Sequence, residues 1–237
     1  MNAPILSCQS LNKRFGRVTA LDDLEFNLEP NQLFCLLGLN GAGKTTLIKC
    51  LLGLLQPSSG QISFKGQLLQ PQDIQNHFSY LPESFQLYPE ITSKELLWAL
   101  SLGLGKSFKE ALAALELVGL ADKADKKIKT YSRGMLQRLG LAICLIKKPQ
   151  IVFLDDPFLG LDIMGQVAMI EVIKKLRTQE QTVLFSSHIL SQVEKIADSV
   201  GIIDKGRMLF CGKAEEFLKS RKAASLEEAF LKELGGQ

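Results

Sequence analysis

LFCLLGLNGAGKTTLIKCLLGLL, residues 33–55, is the stretch that decides how this chain folds. Leu33, Phe34, Cys35, Leu36 and Leu37 are an unbroken apolar run ending at a glycine-rich turn, the pattern of a short strand buried on both faces of a parallel sheet. Beyond the turn, Leu47, Ile48, Leu51, Leu52 and Leu55 recur at helical spacing until Pro57, which cannot donate to a continuing helix. Between strand and helix, Gly38, four residues, Gly43, Lys44 and Thr45 fit the phosphate-binding loop pattern. Such glycines let backbone N–H groups turn inward around phosphate oxygens, and the helix N-terminus adds partial positive charge. The binding residues expected here are Gly38, Leu39, Asn40, Gly41, Ala42, Gly43, Lys44, Thr45 and Thr46, with Lys44 at the β- and γ-phosphates and Thr45 on Mg²⁺.

A loop of this kind needs a carboxylate at the end of a neighbouring strand to hold the metal's water shell. The apolar run Ile151, Val152, Phe153, Leu154 ends in Asp155, which is the expected metal residue. Asp156 follows and, on an extended chain, points to the opposite side, where it is a candidate to orient or deprotonate an attacking water. A second strand pattern at 182–186, with an amphipathic helix at 165–177 between the two, makes a βαβ unit.

Farther out, residues 5–11 and 21–28 alternate as antiparallel strands around a polar Gly16-Arg17-Val18-Thr19 stretch, and 62–69 reads as a hairpin about Lys65 and Gly66. Strands at 200–203 and 208–211 flank the turn Asp204-Lys205-Gly206-Arg207. From about 84 to 148 the patterns are helical, and from Ala214 the tail reads as amphipathic helix. The expected fold is α/β: a P-loop NTPase (RecA-like) core with a mainly parallel sheet, N-terminal antiparallel β strands and an inserted α-helical subdomain. One domain is expected over 1–237, its core at about 1–83 and 149–213, the helical subdomain at about 84–148 and a helical tail at about 214–237.

Composition sets outer bounds. The chain has 237 residues, 46% hydrophobic and 22% charged, with 19 Gly and 8 Pro, which excludes disorder and collagen. Twenty-eight Lys and Arg against 25 Asp and Glu leave a net charge of +3, without the clustered excess of a nucleic-acid binder, so no nucleic acid partner is expected. Five cysteines, an odd number never spaced as CxxC, suggest neither a disulfide framework nor a zinc site and fit a reducing cytoplasm. The start MNAPILSCQS lacks the pattern of a signal peptide, and the chain has no apolar run of about 18 residues, so it is not expected to span a membrane. A mean hydropathy of +0.10 leaves room for a buried interface with a more apolar partner.

Beyond GLNGAGKTT (38–46) and IVFLDDP (151–157), the chain carries YSRGMLQRL (131–139), and with these motifs in this order it resembles the ATP-binding subunit of an ABC transporter from about Leu6 to Gly212. The third motif is similar to the family's signature sequence at Ser132 and Gly134, with Arg133 where the usual pattern has Gly and Met135 where it has Gln. Ser132 is well placed to cap a helix running toward Ile146, so that hydroxyl, N–H groups and dipole converge on an anion. In the family this element completes the ATP site of the opposite subunit. The resemblance therefore implies two P-loop domains sandwiching two nucleotides head to tail, as a homodimer or with a related chain. It further implies that Asp162, in Leu159-Gly160-Leu161-Asp162, belongs to the D-loop at that interface, and that His188 contacts the γ-phosphate. Phe15 matches the aromatic position that stacks on adenine, while simple core packing also accounts for it.

Two departures bear on mechanism. Glu83 stands where the family has a Gln linking the metal site to the helical lobe, and an acceptor-only carboxylate there can still reach the metal through water. The surrounding LPE pattern resembles the exporter-type branch, and Phe85, Leu87 and Tyr88 are candidates for the groove that receives a membrane partner's helix. Asp156 replaces the usual catalytic Glu and is shorter by about 1.5 Å, which implies slow turnover. The resemblance implies an ATPase that binds ATP and Mg²⁺ and powers transport, export in the exporter-type branch, through separate integral membrane subunits at the inner face of the cell membrane. The competing expectations are a soluble ABC ATPase acting on DNA, ribosomes or iron–sulfur assembly, and a P-loop kinase or GTPase, which leaves the signature, D-loop and His188 unexplained. Leu226, Ala229, Phe230, Leu231 and Leu234 in the tail suit packing on the chain's own core or on a partner, with own-core packing favoured.

Overall fold

The computed structural model describes residues 3–235. β1 (Leu6–Phe15) and β2 (Val18–Leu28) pair antiparallel, Leu6 opposite Leu28 and Phe15 opposite Val18. Gly16, at φ +59°, lets a two-residue turn close the hairpin, so Val18 and Thr19 lie in the strand and not in a polar connection. β3 (Leu33–Leu37) is buried at every position and leads into α1 (Lys44–Leu51). The helix stops short of Pro57 because Gly53 takes the left-handed conformation, φ +65°. β4 (Ser59–Phe64) and β5 (Gln67–Leu68) form the expected hairpin, with Lys65 and Gly66 both at positive φ.

α2 (Pro71–His77) and β6 (Phe78–Leu81) were not legible as elements. α2 buries none of its residues and so has no apolar stripe, yet Pro71 at its start and the Asp73 carboxylate, whose Oδ2 accepts from Gln70 N at 2.9 Å, hold its first turn. Helices α3 (Ser93–Gly103), α4 (Phe108–Leu117) and α5 (Arg133–Leu145) follow. Each begins at a side-chain cap, from Thr92, Ser107 and Ser132 respectively. β7 (Ile151–Leu154), α6 (Ile163–Thr178) and β8 (Thr182–Ser187) make the βαβ unit, with Asp162 as cap of α6. A short α7 (Leu190–Val193), β9 (Ser199–Asp204) and β10 (Arg207–Lys213) complete the core. The tail is two helices, α8 (Ala214–Arg221) and α9 (Leu226–Gly235), because Lys222 adopts φ +48° and breaks the run.

The strands form two sheets, an antiparallel one in the order β2-β1-β4-β5 and a six-stranded one in the order β10-β9-β3-β8-β7-β6. All neighbours in the larger sheet are parallel except β9 and β10. Alternate residues of β3 enter opposite cores. Leu33, Cys35 and Leu37 join the side covered by α5, α6 and the tail, whereas Phe34 and Leu36 join the side covered by α1 and the small sheet. Each such leucine or phenylalanine side chain contributes roughly 1.5–3 kcal/mol by burial. Phe217, Leu226, Ala229 and Phe230 are buried in the first core, so the tail packs on its own chain, while Leu231 faces outward. Among the described residues no helix is long and apolar enough to cross a membrane.

The β9–β10 turn reaches back over the glycine loop. Gly206 N donates to Ala42 O at 2.9 Å and Gly206 O accepts from Asp22 N at 3.0 Å. Arg207 Nε donates to Asp22 Oδ2 at 2.8 Å, with Nη2 2.6 Å away. Gly206 itself has φ +81°, and a Cβ there would stand 2.7 Å from Ala20 O. Gly206→Ala is therefore expected to destabilise the protein by about 1–3 kcal/mol in urea unfolding, since backbone and not a flexible side chain must yield.

Candidate nucleotide site

The glycine loop joins the carboxyl end of β3 to α1. A Cβ on Gly38 would lie 2.4 Å from Ile203 O, and one on Gly43 2.7 Å from Ala20 O, with Gly43 at φ +112°. Only glycine fits either place. Gly41, at φ +81°, borders open space, and Leu39 and Asn40 are exposed on the loop's rim. Gly43 caps α1 without a side chain, which leaves the first-turn N–H groups, those of Lys44, Thr45 and Thr46, for an external acceptor. Lys44 is buried inside the loop, its Nζ donating to Gly38 O at 2.8 Å and Leu39 O at 3.1 Å. A cradle without Cβ atoms, lined by N–H donors and one ammonium, fits a chain of phosphates.

Asp155 is the first residue beyond β7, which lies two strands from β3 with β8 between them. It is 2% exposed, and its Oδ1 accepts from Ser186 Oγ at 2.7 Å and its Oδ2 from the Tyr80 hydroxyl at 3.4 Å. Burial and then the Asp155 charge push the Tyr80 phenol well above its ordinary pKa, so it remains a donor. Ser186 Oγ in turn accepts from Asp156 N at 2.8 Å. A buried carboxylate and the Thr45 hydroxyl are hard oxygen donors, the chemistry that suits Mg²⁺.

Asp156 does not continue the extended strand. Its φ is +44°, so strand alternation does not set its direction; the turn after β7 does. That turn brings Asp156 Oδ1 within 3.0 Å of Nδ1 of His188, the first residue beyond β8. Asp155, Asp156 and His188 thus gather at the carboxyl ends of adjacent parallel strands, on the edge from which the glycine loop also leaves.

The other expected residues belong to other elements, Phe15 to β1, Ser132 and Gly134 to the start of α5 and Asp162 to the start of α6. Phe15 is 47% exposed, which removes simple core packing as its explanation; Lys13 Nζ stands 5.0 Å from its ring centre. Ser132 Oγ accepts from Met135 N at 3.3 Å, and Asp162 Oδ1 accepts from Gly165 N at 2.8 Å, so both side chains cap helices. The starts of α5 and α6 touch, since a Cβ on Gly134 would meet Gly165 Cα at 3.4 Å. Among the described residues, Ser132, Gly134 and Asp162 make no hydrogen bond to the glycine loop. The Glu83 side chain is exposed, and what ties this position to α5 is its backbone carbonyl, which accepts from Gln137 Nε2 at 3.4 Å.

Sequence reasoning missed Tyr80, Ser186 and Gln137. Ser186 was legible only as strand, and nothing in the spacing of Tyr80 or Gln137 announces a partner 75 or 54 residues away.

Fold and site together define a P-loop nucleotide-binding domain. Residues 21–159 match the family model described as ABC transporter. An uncharacterized ABC transporter ATP-binding protein of Nostoc sp. (strain PCC 7120) is 41% identical over 212 residues, covering 86% of this chain and 63% of that protein. The lantibiotic transport ATP-binding protein SrtF of Streptococcus pyogenes is 36% identical over 205 residues, covering 86% of this chain and 89% of its own. A solved ATP-binding subunit of an ABC transporter shares the fold with a TM-score of 0.84 and 29% identity, over 97% of this chain and 99% of that one. The chain belongs to the ABC transporter family, among its ATP-binding proteins. It spans about three fifths of the length of the first relatives it matches, 63% and 59%.

Ser186→Ala strips a donor from Asp155 and an acceptor from Asp156 N in a buried place. We expect about 1–3 kcal/mol lower stability in urea unfolding. A fluorescent-nucleotide titration should show roughly tenfold weaker binding, the usual effect of losing a support behind a binding carboxylate.

Proposed function

We propose that this chain is the ATP-hydrolysing subunit of an exporter-type transporter, acting beside separate integral membrane subunits at the inner, cytoplasmic face of the cell membrane. The observation that carries the reading is the gathering of Asp155, Asp156 and His188 at the strand ends beside the Lys44 loop. The names of relatives support the transport role. SrtF is a lantibiotic transport protein, and a Bacillus licheniformis protein 37% identical over 209 residues is a bacitracin transport ATP-binding protein. The core at about 1–83 and 149–213 would hold the nucleotide, and the lobe at about 84–148 would pass its motion to the membrane partner.

In this reading the loop N–H groups and Lys44 bind the β- and γ-phosphates, and Phe15 stacks on adenine, a contact worth about 1 kcal/mol. Thr45 and Asp155 would hold Mg²⁺, with Glu83 reaching it through water; the ion supplies charge neutralisation at the transferring phosphoryl group. Asp156 holds the attacking water and takes its proton, its carboxylate fixed by His188, which also faces the γ-phosphate. Among the described residues Ser132, Gly134 and Asp162 make no hydrogen bond to their own glycine loop, which agrees with their serving the nucleotide of a second such subunit bound head to tail, a second copy or a related chain.

Copurification from detergent-solubilised membranes should bring down an integral membrane partner; its persistent absence would favour a soluble ABC ATPase. In single-turnover ATP hydrolysis, Asp156→Glu should be at least about tenfold faster than the wild type, because a displacement of about 1 Å in a reacting group slows chemistry steeply. Equal rates would mean that the short side chain is not what limits turnover.

A further inference from the structure

Arg133 replaces a glycine of the family's usual signature, and helix α5 does not explain it: an N-terminal turn disfavours a cation. Nor does an ion pair. Arg177, Arg207 and Arg221 all have carboxylate partners, whereas Arg133 has none among the described residues. What its guanidinium touches is Gly160. A Cβ built on Gly160 would fall 2.4 Å from Arg133 Cζ, 2.4 Å from Nη1 and 2.8 Å from Nε. Three atoms of one planar group at nearly equal distance mean that the guanidinium lies face-on over the Gly160 backbone.

Gly160 lies within the segment from Asp156 to Asp162. The intervening chain is held by single-turn bonds, Leu159 N to Asp156 O at 3.0 Å and Leu161 N to Phe158 O at 3.2 Å. It has the positive φ, +67°, and the bare Cα that such an approach requires. A second contact, Gly134 against Gly165, brings the two helix starts together without a side chain.

We infer that Arg133 is a positioning residue: it clasps the Asp156–Asp162 segment to the start of α5, so that the signature end and the hydrolytic carboxylate of one subunit move as one body. The consequence for turnover rests on the function proposed above. There, the signature senses the partner's nucleotide while Asp156 acts on its own, and the clasp is the short covalent-plus-stacked route between the two half-sites.

The test uses the full chain with Arg133→Gly and Arg133→Lys. Backbone amide exchange needs no activity: residues 158–162 should exchange about tenfold faster in Arg133→Gly, with β3, β7 and β8 unchanged. Unchanged exchange in 158–162 would overturn the clasp, whatever the protein's function. With ATP, Arg133→Gly should lower kcat by roughly tenfold while KM moves less than about twofold, since Lys44 and its loop are untouched. Arg133→Lys, which keeps the charge and loses the plane, should behave like Arg133→Gly. Full rescue by Lys would assign the effect to charge and overturn the stacking. Altered exchange without wild-type ATP hydrolysis would uphold the clasp and refute the proposed function.

Discussion

The close approach of backbone to backbone around Gly38 and Gly43 is the constraint on which the rest depends. A phosphate cradle can form only where main chain comes near enough to leave no room for Cβ, and two elements distant in sequence create that nearness here. Ile203 from β9 closes on Gly38, and Ala20 from β2 closes on Gly43. The Gly206 turn then bonds to both Ala42 and Asp22, so the small sheet, the loop and the edge of the large sheet brace one another. Lys44 is held at the centre of this arrangement by carbonyls of the loop itself. The parallel sheet supplies the stiffness, because β3 is buried on both faces and cannot shift without opening two cores.

The same sheet edge gathers the chemistry. Parallel strands release their side chains to loops at one end, so Asp155, Asp156 and His188 meet although β8 begins 26 residues after Asp156. Ser186 links the first two, accepting from Asp156 N and donating to Asp155. A second group of residues lies where the start of α5, in the helical lobe, meets the start of α6, in the core; Ser132 and Asp162 cap the two helices and Gly134 packs against Gly165. In the function proposed above, these two groups would be the halves that a head-to-tail pair combines.

Much of this was legible from residue order. The run at 33–37, the glycine pattern after it and the strand ending in Asp155 are local signals, since each element's burial and each turn's backbone requirement are written in adjacent residues. The failures are also local in cause. α2 buries nothing and so carries no periodicity, β6 is four residues long, and α1 ends just before a left-handed Gly53 that overrides the apolar spacing. Asp156 is the instructive case. Alternation assigns it to a strand that, in the structure, has already ended, and its direction comes from a turn at φ +44°.

By itself, then, the sequence determined the elements that depend on near neighbours: the buried strands, the phosphate loop, the capped helices and the identity of the carboxylate at the strand end. Tertiary structure alone decided the partnerships across long separations, Tyr80 and Ser186 on Asp155, His188 on Asp156, Gln137 on the Glu83 carbonyl and Arg133 on Gly160. It also sent the tail's Leu226 and Phe230 into the chain's own core. The physical reason is that periodicity and capping report a residue's own backbone and its exposure to water. A hydrogen bond or a stacked guanidinium depends on two atoms whose separation is set only when the sheet order and the packing of both its faces are complete.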